Sequence, residues 1–209
     1  MLTRLAACFL SVGLLGNVAT SQAHASANAP AHIMLPPEHV TPSRADVKKA
    51  LEKRRAKNLA AFRAYRKAGV YPHNWVRFGP LNVWVDRDGH LCAAATMIAK
   101  DGKQELVDET GKANNQIRLM NVTEGPLLDW IMTSGFTIEE IDRIQAPMVG
   151  PEEGPIVEPN WTAEDARLRT EYARTDAWLV KHAKSGLDRA VDRLMKKPEL
   201  ARRLVDDTV

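Results

Sequence analysis

From Arg44 to Lys67 the chain carries ten Lys or Arg residues and only two acids, Asp46 and Glu52. This stretch constrains the fold most, because it also reads as one long helix. Val47, Leu51, Phe62 and Tyr65 share a face at 3.6-residue spacing, with Leu59 at its margin. Thr41-Pro42-Ser43 offers a helix start, with Ser43 and Asp46 to satisfy the first amides. Gly69 suits the position just past a helix end, so the pattern predicts a helix over 43–68. Like charges at this density repel one another along an isolated helix. Either the rest of the chain supplies acids against it, or an external polyanion does. Residues 69–160 hold fourteen acids against seven bases, and residues 161–209 hold nine against eleven. Most of the bases, including Lys48, Lys49, Lys53 and Lys57, face away from the apolar stripe, whereas Arg54 and Asn58 fall within it. Arg54 is therefore expected to bury its stem and pair with an acid from 69–160. The four lysines are the candidate contacts for a polyanion or an anionic envelope surface. Intramolecular compensation or plain solvation is the favoured reading, because charge runs are commonly solvated faces.

The N-terminus reads as an export signal. Arg4 precedes an uncharged, largely apolar stretch from Leu5 to Ala19, and Ala23-His24-Ala25 fits a small-residue cleavage site. The apolar run is shorter than the ~20 residues needed to span a bilayer, so no transmembrane segment is expected in the mature chain. Leu5-Ala6-Ala7-Cys8 resembles a lipoprotein box, but its cysteine precedes most of the hydrophobic stretch rather than following it. Cleavage near Ala25 implies a periplasmic or secreted protein and leaves Cys92 as the sole cysteine, which excludes an intramolecular disulfide.

Past this signal peptide (1–25), residues 26–41 read as a flexible tether. Asn74-Trp75-Val76-Arg77-Phe78 and Asn82-Val83-Trp84-Val85 flank Gly79-Pro80 and predict a small β-hairpin. Good helix formers follow from Leu91 to Ile98, and Gly102 and Gly111 are expected to punctuate two helical pieces. Leu127, Leu128, Trp130 and Ile131 suggest another helix, stopped by Ser134-Gly135. Thr137-Ile138-Glu139-Glu140 fits a capping box on a short helix that ends near Gln145. These pieces form a helical domain with a β-hairpin over 42–147. A Pro/Gly-rich linker over 148–160 and a C-terminal helical segment over 161–209 complete the chain, with breaks expected at Gly186 and Pro198. The fold class is mainly α with one small hairpin (α+β): a compact helical domain plus C-terminal helices.

Three segments carry a resemblance. They are Tyr65-x3-Gly69-x-Tyr71-Pro72-x-Asn74, then Trp84-x-Asp86-x2-Gly89-x2-Cys92-Ala93, and Asn114-Asn115 ahead of Trp130-x3-Ser134-Gly135-Phe136-Thr137-x-Glu139-Glu140-x3-Ile144-Gln145. In order and spacing they resemble a group of uncharacterised bacterial exported proteins without an established activity. The resemblance covers residues 62–147, implies a bacterial exported domain and transfers no function.

Chemistry is constructible in one place. Cys92 stands just after a glycine turn at an expected helix start, which favours a thiolate, and His73, His90, Asn114 and Asn115 are available as base and orienting group. Against this, Cys92 is followed by Ala93-Ala94-Ala95, and a small apolar cysteine packs well in such a core. Asp86-Arg87-Asp88-Gly89 reads as a plain β-turn. Aligned as a calcium loop it would put Trp84 and Ala95 at ligand positions, so no metal site is assigned. No phosphate loop, dinucleotide fingerprint, G-x-S-x-G or H-E-x-x-H is present, and no cofactor is implied. The lack of any nucleic-acid-binding motif, together with export, disfavours a nucleic-acid partner. The reading is a non-catalytic exported bacterial module that binds an unknown protein or envelope component. Its alternatives are a thiol-dependent hydrolase or redox protein centred on Cys92, and an envelope-surface binder acting through residues 44–67.

Overall fold

The computed structural model describes residues 41–74, 81–148 and 160–208, all of which belong to a single unit, His39–Val209. The expected signal peptide, most of the tether (26–40) and most of the Pro/Gly-rich linker (149–159) lie outside the described residues.

The basic segment forms α1, Arg44–Ala68. Ser43 caps its N-terminus by accepting the Asp46 N–H, and Gly69, at φ 65°, returns its own N–H to the Tyr65 carbonyl. Seven more helices follow among the described residues. They are α2 (Ala93–Lys100), α3 (Gln104–Ala113), α4 (Gly125–Thr133), α5 (Ile138–Gln145), α6 (Trp161–Lys181), α7 (Ala183–Leu194) and α8 (Pro198–Asp206).

α1 is the common wall of two hydrophobic clusters. Its first half contributes Val47 and Leu51 to a cluster with Leu187, Val191 and Leu194 of α7 and Leu200 and Leu204 of α8. Its second half contributes Phe62 and Tyr65 to a larger cluster with Tyr71, Trp84, Cys92, Met97, Ile98, Ile141 and Tyr172. The C-terminal helices thus share α1's core. Both clusters remove large side chains from water, each worth about 1.5–3 kcal/mol when fully buried.

A polar layer divides the two clusters at the middle of α1. Arg55 and Asn58 are buried there, one helical turn apart. Arg55 donates to both carboxylate oxygens of Glu140 at 2.9 and 2.8 Å and to the Gly135 carbonyl at 3.0 Å, while its guanidinium lies 4.5 Å over the Phe136 ring. Asn58 donates to the Ser134 carbonyl at 2.8 Å. Glu140 also completes the Thr137 capping box, whose two bonds are both made. The stretch from Ser134 to Glu140 is thus a staple that fastens α5 to α1.

Two expectations need correction. No strand is present among the described residues, so the β-hairpin is not seen; of its first half, residues 75–78 fall outside them. Around its second half, the backbone is bonded elsewhere. The Trp84 N–H donates to the Asn115 carbonyl at 2.8 Å, and the Asn115 side chain both accepts from and donates to the Val85 backbone at 2.9 Å. Only an isolated antiparallel bridge, Val85 to Leu91, closes the intervening turn. Second, Gly111 and Gly186 do not break helices: they lie within α3 and α7. A Cβ on Gly111 would stand 3.2 Å from Trp84 Cδ1, and one on Gly186 would collide with the Glu140 carboxylate. Each glycine is there to let a partner approach. Arg54 is partly buried and pairs with Asp101, an acid from 69–160, as expected, while a further base, Arg55, is buried more deeply. Arg55 stands four residues after Leu51 and seven before Phe62, on the stripe itself.

Candidate functional site

The residues singled out from sequence are not brought together into one catalytic group. Cys92 caps α2, with its sulfur accepting the Ala95 N–H at 3.5 Å, and is 1% exposed among Tyr65, Tyr172 and the alanines that follow it. Burial pushes its thiol up to about 11, outweighing the amides at the helix start. A thiol held protonated at neutral pH and shut off from solvent is a poor nucleophile. Around it Tyr65, Tyr71 and Tyr172 pack with ring centroids 5.4 to 5.5 Å apart, an aromatic core rather than a reaction chamber.

His73 and His90 converge instead on Asp86. The Asp88 and His90 amides donate to Asp86 Oδ1 at 2.9 and 2.8 Å, and the His73 amide meets Oδ2 at 3.0 Å. The His90 ring stands 3.0 Å from the same Oδ2. Burial alone would raise the Asp86 carboxyl, but these donors prevail and hold it below the usual carboxylate range. Asp86, Asp88 and His90 stand close enough to share a cation. Both Asp86 oxygens, however, already accept two short contacts each, which fits a turn-fixing carboxylate better than a metal ligand. The His73 ring reaches the other way, stacked on Trp161 at 4.5 Å and 3.2 Å from Asp165. Asn114 is exposed at the end of α3, where its side chain accepts the Gln116 N–H.

The basic helix is compensated from within. Arg54 donates to both oxygens of Asp101 at 2.8 and 3.0 Å, and Lys57 reaches the same carboxylate at 2.6 Å. Lys48 pairs with Asp188 at 2.9 Å, and Lys53 donates to the Thr208 carbonyl at 2.8 Å. Arg44 pairs with Asp192, and Arg63 and Arg66 share Asp176. The middle region supplies Asp101 and Glu140, as expected, whereas Asp176, Asp188 and Asp192 come from α6 and α7. Of the four candidate lysines, Lys49 and Lys53 are exposed without an ion pair among the described residues, and Lys53 is spent on the Thr208 carbonyl. The four do not form a free cationic patch.

What the fold does leave open is a groove of about 630 Å³ walled by α3 and α8, with α4 and Arg54 between them. That volume falls in the range of small-ligand and peptide sites.

No family model matches this chain. No curated protein and no solved structure matches it either.

Inside the groove, Arg54 pairs with Asp101, which also accepts the Trp130 indole N–H at 3.2 Å, and Arg203 pairs with Asp129 at 3.2 Å. Leu106 and Pro126 present the apolar surface within reach of solvent. Arg54 and Trp130 were legible from sequence as packing residues, but no groove was. The available signal was the acidic face of α3, where Glu105, Asp108 and Glu109 recur at helical spacing against Lys112 alone within the helix.

Proposed function

We propose that this chain is a non-catalytic exported bacterial module whose groove between α3, α4 and α8 receives a partner in the cell envelope. The single observation that carries this reading is the groove itself: an open concavity with exposed apolar and charged walls. Meanwhile Cys92, Asp86 and the Ser134–Glu140 motif are spent on packing and capping. The N-terminal pattern of Arg4, the apolar run and Ala23-His24-Ala25 supports export, and the motifs of residues 62–147 support a bacterial exported family.

Site-specific photo-crosslinking in intact cells tests the binding reading. A crosslinker replacing Glu109, inside the groove, should capture a discrete envelope component. One replacing Arg174, on the exposed face of α6, should not. Equal capture from both positions, or none from Glu109, overturns it. Intact-mass measurement on exported protein tests localisation, where a chain retaining residues 1–25 would contradict the export reading.

A further inference from the structure

The charges lining the groove are unevenly balanced, and the imbalance specifies a class of partner. Two of its bases are already occupied within the chain: Arg54 by Asp101 and Arg203 by Asp129. Lys103 is the one lining base without an ion pair among the described residues. Against it stand three exposed acids, Glu105 and Glu109 on the α3 wall and Asp207 on the α8 wall, none with an ion pair among the described residues. Carboxylates thus line the groove on both α3 and the end of α8, alongside apolar surface from Leu106 and Pro126.

We propose that the groove binds a short cationic, apolar segment of a partner protein, with Lys or Arg side chains held between Glu105, Glu109 and Asp207 and an aliphatic side chain set against Leu106 and Pro126. This rests on the binding reading above and names its ligand class. Unpaired carboxylates gathered in one groove repel one another, so a cationic guest relieves a repulsion that a neutral or anionic guest would leave or worsen. The apolar floor adds a contribution that a bare cation cannot use. A partner helix or extended segment with basic residues flanking an aliphatic one has that shape and charge. Anionic guests are disfavoured, because the groove's arginines are already paired and its unpaired carboxylates repel them.

The test uses the mature chain and three capped hexapeptides followed by amide NMR and titration. They are Leu-Lys-Ala-Leu-Lys-Leu, its charge-reversed form Leu-Glu-Ala-Leu-Glu-Leu, and the polar form Ser-Lys-Ala-Ser-Lys-Ser. The first should bind, shift the amides of Glu105, Glu109 and Asp207, and weaken as salt is raised. Its affinity should fall by about tenfold or more in the double variant Glu105→Lys, Glu109→Lys, a change of about 1.4 kcal/mol. Both replaced residues are exposed and free of ion pairs among the described residues, so the variant's melting temperature should stay close to wild type and serve as the folding control. Equal binding by the charge-reversed peptide overturns the charge argument, and equal binding by the polar peptide overturns the apolar one. Amide shifts away from the groove, or no binding by any of the three, overturn the proposal as a whole. If crosslinking from Glu109 still captures a partner in those cases, the binding reading survives and only its ligand class is wrong.

Discussion

Arg55 and Glu140, 85 residues apart in sequence, are joined by two N–H···O bonds of 2.9 and 2.8 Å in the buried layer between the two hydrophobic clusters. The same carboxylate accepts the Thr137 N–H at 2.8 Å, so one side chain closes both an ion pair and a helix cap. A buried pair of this kind gains little over an apolar substitute but is expensive to break from one side. Arg55→Ala should therefore destabilise the fold by about 3–5 kcal/mol in denaturant unfolding, because it strands a buried carboxylate. The double variant Arg55→Met, Glu140→Gln should lose less than Arg55→Ala. A single-variant loss below about 1 kcal/mol would mean the pair behaves like a surface bridge.

Gly135 and Gly89 have the same backbone conformation, φ 85° and 84°, but different surroundings. A Cβ on Gly135 would stand 2.5 Å from the Leu51 carbonyl oxygen and the Arg55 nitrogen, whereas one on Gly89 would meet nothing within 4 Å. Gly89→Ala should carry only the backbone penalty of about 1–2 kcal/mol. Gly135→Ala carries that penalty and must also push α1 away, adding about 1–3 kcal/mol of overpacking. Thermal unfolding of both variants reads the difference directly. Equal losses would show that α1 does not press on Gly135.

Cys92 should resist alkylation in the native state, since it is buried and its thiol is pushed up to about 11. The sign of its pH linkage follows from that rise. Its contribution to stability is fully present below the unfolded thiol value, near 8.5–9, and is lost as pH climbs towards 11, by up to about 3 kcal/mol. Cys92→Ala should remove the part of the alkaline decline that starts near pH 9. The buried Tyr65 and Tyr172, also pushed up chiefly by burial, sustain the decline at higher pH. Rapid labelling at pH 7, or an unchanged alkaline profile in Cys92→Ala, would contradict this assignment.

Arg54 is 21% exposed and shares the nearly buried carboxylate of Asp101, whereas Lys49 is exposed and outside any ion pair among the described residues. Arg54→Ala should cost about 1–3 kcal/mol through lost charge-assisted bonds, lowering the melting temperature by several degrees. Lys49→Glu should stay within about 0.5 kcal/mol of wild type. Indistinguishable melting shifts would mean that Lys57 and Trp130 suffice to hold Asp101.

By itself, the sequence determined the local features of this protein. Ser43, Gly69 and the Thr137–Glu140 box each act through backbone groups within four residues, so their helix boundaries could be read directly. The 3.6-residue period marked the buried face of α1, and the alanines after Cys92 marked it as a packing residue. Tertiary structure decided everything that depended on a partner distant in sequence. Gly111 and Gly186 carry the composition of helix breaks, yet they stay helical because Trp84 and Glu140 occupy the space that a Cβ would fill. Val83-Trp84-Val85 has the β-branched and aromatic character of a strand, but Asn115 takes up the Trp84 N–H and both Val85 backbone groups, and the Cys92 N–H takes the Trp84 carbonyl. Arg55 lay on the apolar stripe in full view, although only the approach of α5 supplied a carboxylate to justify burying it there. The groove belongs to the same class: α3 and α8 are 85 residues apart from Ala113 to Pro198, and no local pattern records that their acids line one groove. Short-range hydrogen bonding leaves its mark on neighbouring residues, whereas packing and ion pairing select among equivalent side chains only once the chain has folded back on itself.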